Sequence, residues 1–512
     1  MVRDGSRAKS DHVRSLLKTG FARAVQGLGV APILIELCKM RLVTEGIRDS
    51  VGSGIPPSRF VGKRVAAVVY STYPADPRPR RAAEALAKEG AFVEVICLKE
   101  ADEEPRHQFF SGVDITRVSM KRVRGGKLSY IFRYGLFIFL AGAILARRSC
   151  GRRYDLVHVH NMPDVLVVTA LLPRILGAKV VLDLHDPMPE LIMTIFGLQE
   201  QSCFVRLLKR LEKCSLRFAD AAITANEAFQ KVFLARSCPS EKLSVVMNSP
   251  DEAIFRYRTP SKRGLVGGEA SRPFAILYHG TLVERQGLDL AVIAFEKIRK
   301  TIPGAKLRII GQRTPFLDHV MDLARQLELG DSVEFLGPKK LEEIPEIIGE
   351  CDVGIIPNRR SKFSELNTPT RIFEILSQGK PVIAPRGQGI LDYFAPQDLV
   401  LFKMGDVEDL AAKMKYVFHH PDEMMSMVER AQQVYLAHRW HSEQQRFLDV
   451  VGRLLKVLLV CLLLIGAGPL ARTFQAGHRA ALRTHSHHLL ATGVRCAGRR
   501  EMEVEEQSVL AS

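Results

Sequence analysis

TPTRIFEILSQGKPVIAP, residues 368–385, reads as a helix followed at once by a buried strand. Thr368 is placed to serve as N-cap, Pro369 fits the first helical position, and Ile372, Phe373, Ile375 and Leu376 make one apolar face. Gly379 ends the helix, and the β-branched run Val382 to Ala384 has the composition of a buried strand. Thr370 and Glu374 are four apart and share a face beside an N-terminus whose free amides favour an anion. The element therefore offers an anion seat with a carboxylate one turn further in, the pairing that the diphosphate and ribose of a sugar nucleotide require. Taken alone, the same stretch is also an ordinary capped helix.

Working outward, strand and helix alternate on both sides. A strand Arg64 to Tyr70, a loop STYPADPRPR, a helix Arg81 to Lys88 and a strand Ala91 to Cys97 form a βαβ unit. The loop carries Asp76, Arg78, Arg80 and Arg81 where a dinucleotide-binding turn needs glycines, which argues against a nicotinamide cofactor. Strands Asp155 to His160 and Lys179 to Leu184 follow, separated by a helix Pro163 to Leu176. Ligands of open parallel sheets collect at the carboxyl ends of strands, where His158, His160, His185, Asp186 and Glu190 fall or nearly fall. His185, directly after its strand, is the best placed of these for chemistry, while His158, between apolar neighbours, reads as structural. After Asn248-Ser249-Pro250 a polar segment reads as a linker, and a second βα array opens at Phe274.

The expected organisation is an extension over 1–58, a Rossmann-like domain over 59–250, a linker over 251–272 and a second Rossmann-like domain over 273–438. A helix over 439–456 and an apolar, basic tail over 457–512 complete the chain. Two doubly wound α/β domains facing each other leave a cleft between them.

The 512 residues carry a net charge of +17 and no nucleic-acid motif with interleaved aromatics, which leaves an anionic membrane or a phosphate-bearing ligand as partner. The nine cysteines show no CxxC pairs, so they suggest a reducing cytosol and no metal site. The start lacks the apolar core of a secretory signal. In KRVRGGKLSYIFRYGLFIFLAGAILARRSCGRR, Tyr134 to Ala146 is apolar between dense basic flanks that include Lys121, Arg122, Arg124, Lys127, Arg147, Arg148, Arg152 and Arg153. Such a stretch is too short to cross a hydrocarbon core of roughly 30 Å. A membrane-surface helix near 131–147 is favoured over a buried helix with solvated ends. The tail run VLLVCLLLIGAGPLA reads as a second shallow anchor or as an extra helix, and His485, His487 and His488 as a metal site or a chance cluster.

Six segments in this order carry a family resemblance: VVYSTYPADPRPRRAAEAL, DLVHVHNMPD, VVLDLHDPMPELIMTIFG, VVMNSPDEAIF, YHGTLVERQGLDLA and LNTPTRIFEILSQGKPVIAP. Over about Arg64 to Lys456 the sequence resembles the retaining glycosyltransferases of the GT-B fold, family 4 in particular. The resemblance implies a nucleotide-sugar donor on the second domain, an acceptor on the first, and a C-terminal helix crossing back to the first domain. It places Glu374 on the donor ribose, and Gly280, Thr281, Thr370 and Arg371 at the diphosphate. His185 faces the donor sugar, while Asp76, Arg78, Asp186 and Glu190 fall on the acceptor side. Two positions depart from the family. The first glutamate of its paired-glutamate motif is Leu366, leaving Glu365 as catalytic candidate and Asn367 as sugar contact. Its lysine after the first strand of the second domain is Gln286, so the charge sits on Arg285, which is able to grip phosphate oxygens in its place.

No DxD motif in a suitable loop calls for a metal, so Arg285, Arg371 and the amides at Thr370 are expected to receive the leaving diphosphate, without a cofactor. The basic apolar helix suggests a lipid-linked or other membrane-associated saccharide acceptor, and a cytoplasmic enzyme resting on the inner face of the plasma membrane. The alternatives are a nucleotide-sugar epimerase of the same fold, which needs neither acceptor nor membrane, and a non-catalytic sugar-nucleotide-binding subunit, suggested by Leu366 and Gln286.

Overall fold

The computed structural model describes residues 58–99, 103–120, 127–260 and 273–466. The extension to residue 57, the basic residues Lys121, Arg122 and Arg124, linker residues 261–272, and the tail beyond 466 with its histidines lie outside them.

The first sheet comprises β1 (Arg64–Thr72), β2 (Phe92–Leu98), β3 (His107–Phe110), β4 (Val113–Val118), β5 (Leu156–His160), β6 (Lys179–Leu184), β7 (Ala221–Thr224) and β8 (Leu243–Val245). Its order is β3-β4-β2-β1-β5-β6-β7-β8, parallel except for the β3–β4 hairpin. The second sheet comprises β9 (Ala275–His279), β10 (Lys306–Ile310), β11 (Val333–Phe335), β12 (Val353–Ile355), β13 (Val382–Pro385) and β14 (Val400–Phe402), in the order β11-β10-β9-β12-β13-β14. Both are doubly wound, and their order reverses at β1/β5 and at β9/β12, where crevices open at the carboxyl ends of the strands. Central strands such as β5 are buried along their whole length because helices cover both faces, which explains their unbroken apolar character.

The helices of the first domain are α1 (Pro77–Lys88), α2 (Lys127–Gly151), α3 (Leu171–Ile175), α4 (Met188–Phe196), α5 (Cys203–Phe218) and α6 (Glu227–Arg236). Those of the second are α7 (Leu288–Arg299), α8 (Pro315–Gln326), α9 (Ile344–Glu350), α10 (Lys362–Leu366), α11 (Thr370–Ser377), α12 (Gln388–Leu391), α13 (Val407–His419) and α14 (Pro421–Ala437). The last helix, α15 (Trp440–Gly466), returns to the first domain, where Phe447, Leu448 and Val451 pack with Val65, Val95 and Leu156. It runs beyond the expected end near residue 456: the helix accommodates Gly452, and from 457 to 465 the sequence holds no glycine or proline before Gly466 and the Gly468-Pro469 pair.

Several elements differ from the sequence reading. Helix α1 starts at Pro77, inside the expected loop: Asp76 caps it by accepting from the Arg78 amide at 3.2 Å, and its prolines lie in the first turn, where no amide partner is lost. Strands β3 and β4 have no clear signature in the sequence, because charged and polar residues interrupt their short runs. They are joined through Ser111 and Gly112, both at positive φ, which suits a tight hairpin. Residues 251–260, taken as the start of a linker, are bound to the second domain: Phe255 is buried in its core and the Arg258 amide donates to the Ser377 carbonyl at 2.7 Å.

Helix α2 has 25 residues, more than the short apolar stretch suggested, and by length and composition it meets the requirement for a membrane span. Packing decides otherwise for one face: Phe137, Ala141, Leu145 and Ser149, spaced by one helical turn, are buried against the first domain. Phe132 and Phe139 are each 71% exposed on the other side.

Candidate active site

The two crevices face one cleft of about 780 Å³, part of it open solvent, lined by Asp76, Arg78, Arg80 and Arg81 from one domain and by Thr370 and Glu374 from the other. Helix α11 begins at Thr370, later than the sequence suggested, because Pro369 occupies the cap position. Thr368 does not cap it; its hydroxyl donates to the Gly389 carbonyl at 2.6 Å. No side chain therefore takes the first amides of α11, and they stay available to an anion.

Glu374 stands one turn further along and meets His279 Nε2 at 2.8 Å through its Oε2. Sequence reasoning missed His279, although its place at the end of β9, just before Gly280, was legible. Arg371 is braced: its guanidinium donates to the His279 carbonyl at 2.8 Å and to Gln286 Oε1 at 2.7 Å, and it lies over the Tyr278 ring. Gly280, at φ 132°, allows this approach, since a Cβ there would sit 3.2 Å from the Arg371 side chain. The turn is closed by Tyr278, whose hydroxyl donates to the Thr281 carbonyl at 2.8 Å.

Arg285 is half-buried, and its Nε has no hydrogen-bond partner. Burial lowers its pKa, and Asp186 of the other domain is the strongest opposing influence. A guanidinium near Asp186 of the other domain and without a full set of partners is prepared for an anionic ligand.

On the first-domain side, His185 points inward. Its Nε2 lies 3.0 Å from His160 Nδ1, its Nδ1 lies 3.7 Å from Asp183 Oδ1, and the two rings are nearly parallel. Burial holds the pKa of both histidines below the ordinary imidazole value, so they are neutral at pH 7. The loop is fixed by Asn161, which accepts from the His185 amide at 2.8 Å and donates to the Asp186 carbonyl at 2.9 Å. His158, His160 and Asp183 also bring ligand atoms within 4.8 Å of one another, the group among the described residues with the donor set for a metal ion. Arg81 is buried, donates to the Ser249 carbonyl and stacks on Trp440; burial pushes its pKa down to about 10 and leaves it charged.

Residues 75–249 match the family model described as a glycosyl transferase 4-like domain, and residues 266–434 match that of glycosyl transferases group 1. The chain belongs to the family 4-like glycosyltransferases of the GT-B fold. Among curated relatives, the sulfoquinovosyl transferase SQD2 of Arabidopsis thaliana is 25% identical over 52% of this chain and 50% of its own length. A putative colanic acid biosynthesis glycosyltransferase, WcaL of Escherichia coli, is 26% identical over 38% of this chain and 47% of its own length. The chain thus spans about half the length of the curated relatives it matches. Sucrose-phosphate synthase from Thermosynechococcus elongatus has the same fold at TM-score 0.63 and 17% identity, covering 78% of this chain and all of that one (100%). Anabaena HepE in complex with UDP-glucose matches at TM-score 0.58 and 15% identity, over 76% of this chain and 99% of its own.

The positions that depart from the family 4-like pattern have local explanations. Gln286 is the brace for Arg371. Leu366 is packed against the apolar core of the first domain. Glu365 reaches Arg360 Nε at 3.2 Å, and Asn367 closes α10. Glu190, expected on the acceptor side, is not free for that role: it is buried and held by Arg236 at 2.6 and 2.9 Å, beside Glu212. Asp76 lines the cleft beside Arg78, but its carboxylate is likewise engaged, by the Arg78 amide and by Ser71 Oγ at 2.8 Å.

Proposed function

We propose that this protein transfers a sugar, with retention of anomeric configuration, from a nucleoside diphosphate sugar to a membrane-associated, lipid-linked saccharide in cell-surface polysaccharide or glycolipid assembly. The observation that carries this reading is the open N-terminus of α11, with Glu374 fixed by His279 on one side and the incompletely partnered Arg285 on the other. The diphosphate lies on the amides at Thr370 and the Gly280–Thr281 turn, where Arg285 and the braced Arg371 balance its charge. Glu374 accepts hydroxyls of the ribose. The sugar extends toward Glu365, Asn367 and the His185 loop, and the acceptor enters past Arg78 and Asp186.

Bond cleavage moves negative charge onto the leaving diphosphate. Fixed guanidinium groups and amides aimed at that charge stabilise the transition state without a metal. The acceptor hydroxyl attacks from the face that the diphosphate leaves, and a phosphate oxygen takes its proton. His185, neutral and tied inward, positions the loop beside the anomeric carbon and is not the nucleophile. UDP and UDP-glucose complexes of fold neighbours support the donor class.

The exposed apolar side of α2 supports the membrane assignment: Phe132, Leu136 and Phe139 point outward, and Arg147, Arg152 and Arg153 are exposed at its C-terminal end. A helix lying in the interface of the inner leaflet at the cytoplasmic side accounts for both features.

Two measurements test the reading. Glu374→Ala is expected to weaken nucleoside diphosphate binding about 10- to 100-fold, as loss of a charged hydrogen bond should; titration calorimetry against UDP, GDP and ADP that returns an unchanged Kd would remove the ribose assignment. Phe132→Glu with Phe139→Glu is expected to lower partition onto vesicles containing anionic lipid by at least about 10-fold. Equal flotation of variant and parent would count against the membrane face.

A further inference from the structure

The short helix α10 belongs to the second domain by sequence but is seated on the first. Phe363 is 6% exposed within the first domain's core cluster, its ring 5.8 Å from that of Phe229. Leu366 packs at the edge of the same cluster. The Leu366 carbonyl accepts from Asn226 Nδ2 at 3.1 Å. Asn226 is only 1% exposed, and its Oδ1 caps α6 by accepting from the Phe229 amide at 2.7 Å. That second bond fixes which end of the amide faces Leu366. From the other side, Gly389 comes so close to Leu366 that a Cβ there would lie 2.1 Å from the carbonyl oxygen. The turn Glu365–Asn367 is thus clamped between two domains, immediately before α11, whose Thr370 lines the cleft.

We propose that Asn226, in the acceptor domain, is a positioning residue for the donor sugar, acting through the Leu366 carbonyl. This rests on the donor reading above. Where a carboxylate at position 366 would turn toward sugar hydroxyls, leucine instead anchors the turn to the first domain. The neighbouring Glu365 and Asn367 then face the sugar only while that anchor holds. The nucleotide half of the donor, bound at α11 and β9, does not depend on it. Asn226 therefore affects recognition of the sugar and leaves recognition of the nucleoside diphosphate unchanged.

Asn226→Asp keeps the helix cap but removes the donor to Leu366, and Asn226→Ser keeps a capping oxygen on a shorter side chain, taking the Nδ2 donor away from Leu366 without adding charge. Binding of UDP, GDP and ADP is compared with that of UDP-glucose, GDP-mannose and ADP-glucose, using the full chain. The expected result is that both variants bind the preferred nucleoside diphosphate like the parent, yet bind the corresponding nucleotide sugar about 3- to 10-fold more weakly, the range for one lost hydrogen bond. Unchanged nucleotide-sugar affinity overturns the proposal. So does an equal loss for nucleotide and nucleotide sugar, which marks a merely structural role. If the parent chain binds none of the nucleotides, the donor reading itself fails and takes the proposal with it.

Discussion

Replacing Arg285 by alanine is expected to lower kcat about 10²- to 10³-fold, the loss seen when one preorganised donor to a developing anion is removed. The expectation rests on how Arg285 is held. Its Nε has no partner, its charge is partly desolvated, and the opposing carboxylate of Asp186 belongs to the other domain. A fixed cation in such a place needs little reorganisation when charge reaches the leaving diphosphate, so its contribution is greatest in the transition state. Arg371 is no substitute, since Gln286 and the His279 carbonyl already hold its guanidinium. Arg285→Lys should recover only part of the rate, because an ammonium lacks the planar two-pronged grip. Release of nucleoside diphosphate, followed at saturating donor, is the measurement. A rate within about three-fold of the parent would exclude Arg285 from leaving-group stabilisation.

The largest expected loss of stability follows Arg236→Met. Arg236 binds Glu190 at 2.6 Å and Glu212 at 2.6 Å, and the Glu212 side chain is fully buried. Burial by itself would lower the pKa of this arginine, but the two carboxylates outweigh it and raise the value. Without Arg236, two buried like charges are left unpaired, a change that costs about 3–5 kcal/mol. The urea midpoint of the first domain should fall accordingly, monitored by Trp440, which stacks with Arg81 of that domain. Glu190→Met and Glu212→Met added to Arg236→Met should restore most of the loss, because an apolar replacement removes the desolvated charges together. A single variant as stable as the parent would show that water reaches these carboxylates.

This triad marks one limit of sequence reading. Glu190 follows His185 closely at the carboxyl end of a central strand, which made an acceptor-side role reasonable. Its partner Arg236 lies 46 residues further along on another helix, and no local pattern points to it. His185 is a related case. Its place after β6 was legible, but the inward turn of its ring toward His160 and Asp183 depends on how β5 and β6 pair.

The opening stretch shows the same division. The sequence alone determined a helix with Thr370 and Glu374 on one face, a glycine stop and a strand, because periodicity and the φ +70° stop at Gly379 are local properties. It likewise determined the alternating βα order from which two doubly wound domains follow. Tertiary structure decided what those groups meet: His279 for Glu374, 95 residues away, Gln286 for Arg371, 85 away, and Asn226 for the Leu366 carbonyl, 140 away. It also moved the start of α11 past Thr368, whose hydroxyl found the Gly389 carbonyl instead. Secondary structure is set by neighbours within a few positions along the chain, whereas the partners of a polar group are set by which strands lie side by side and how two domains close on each other.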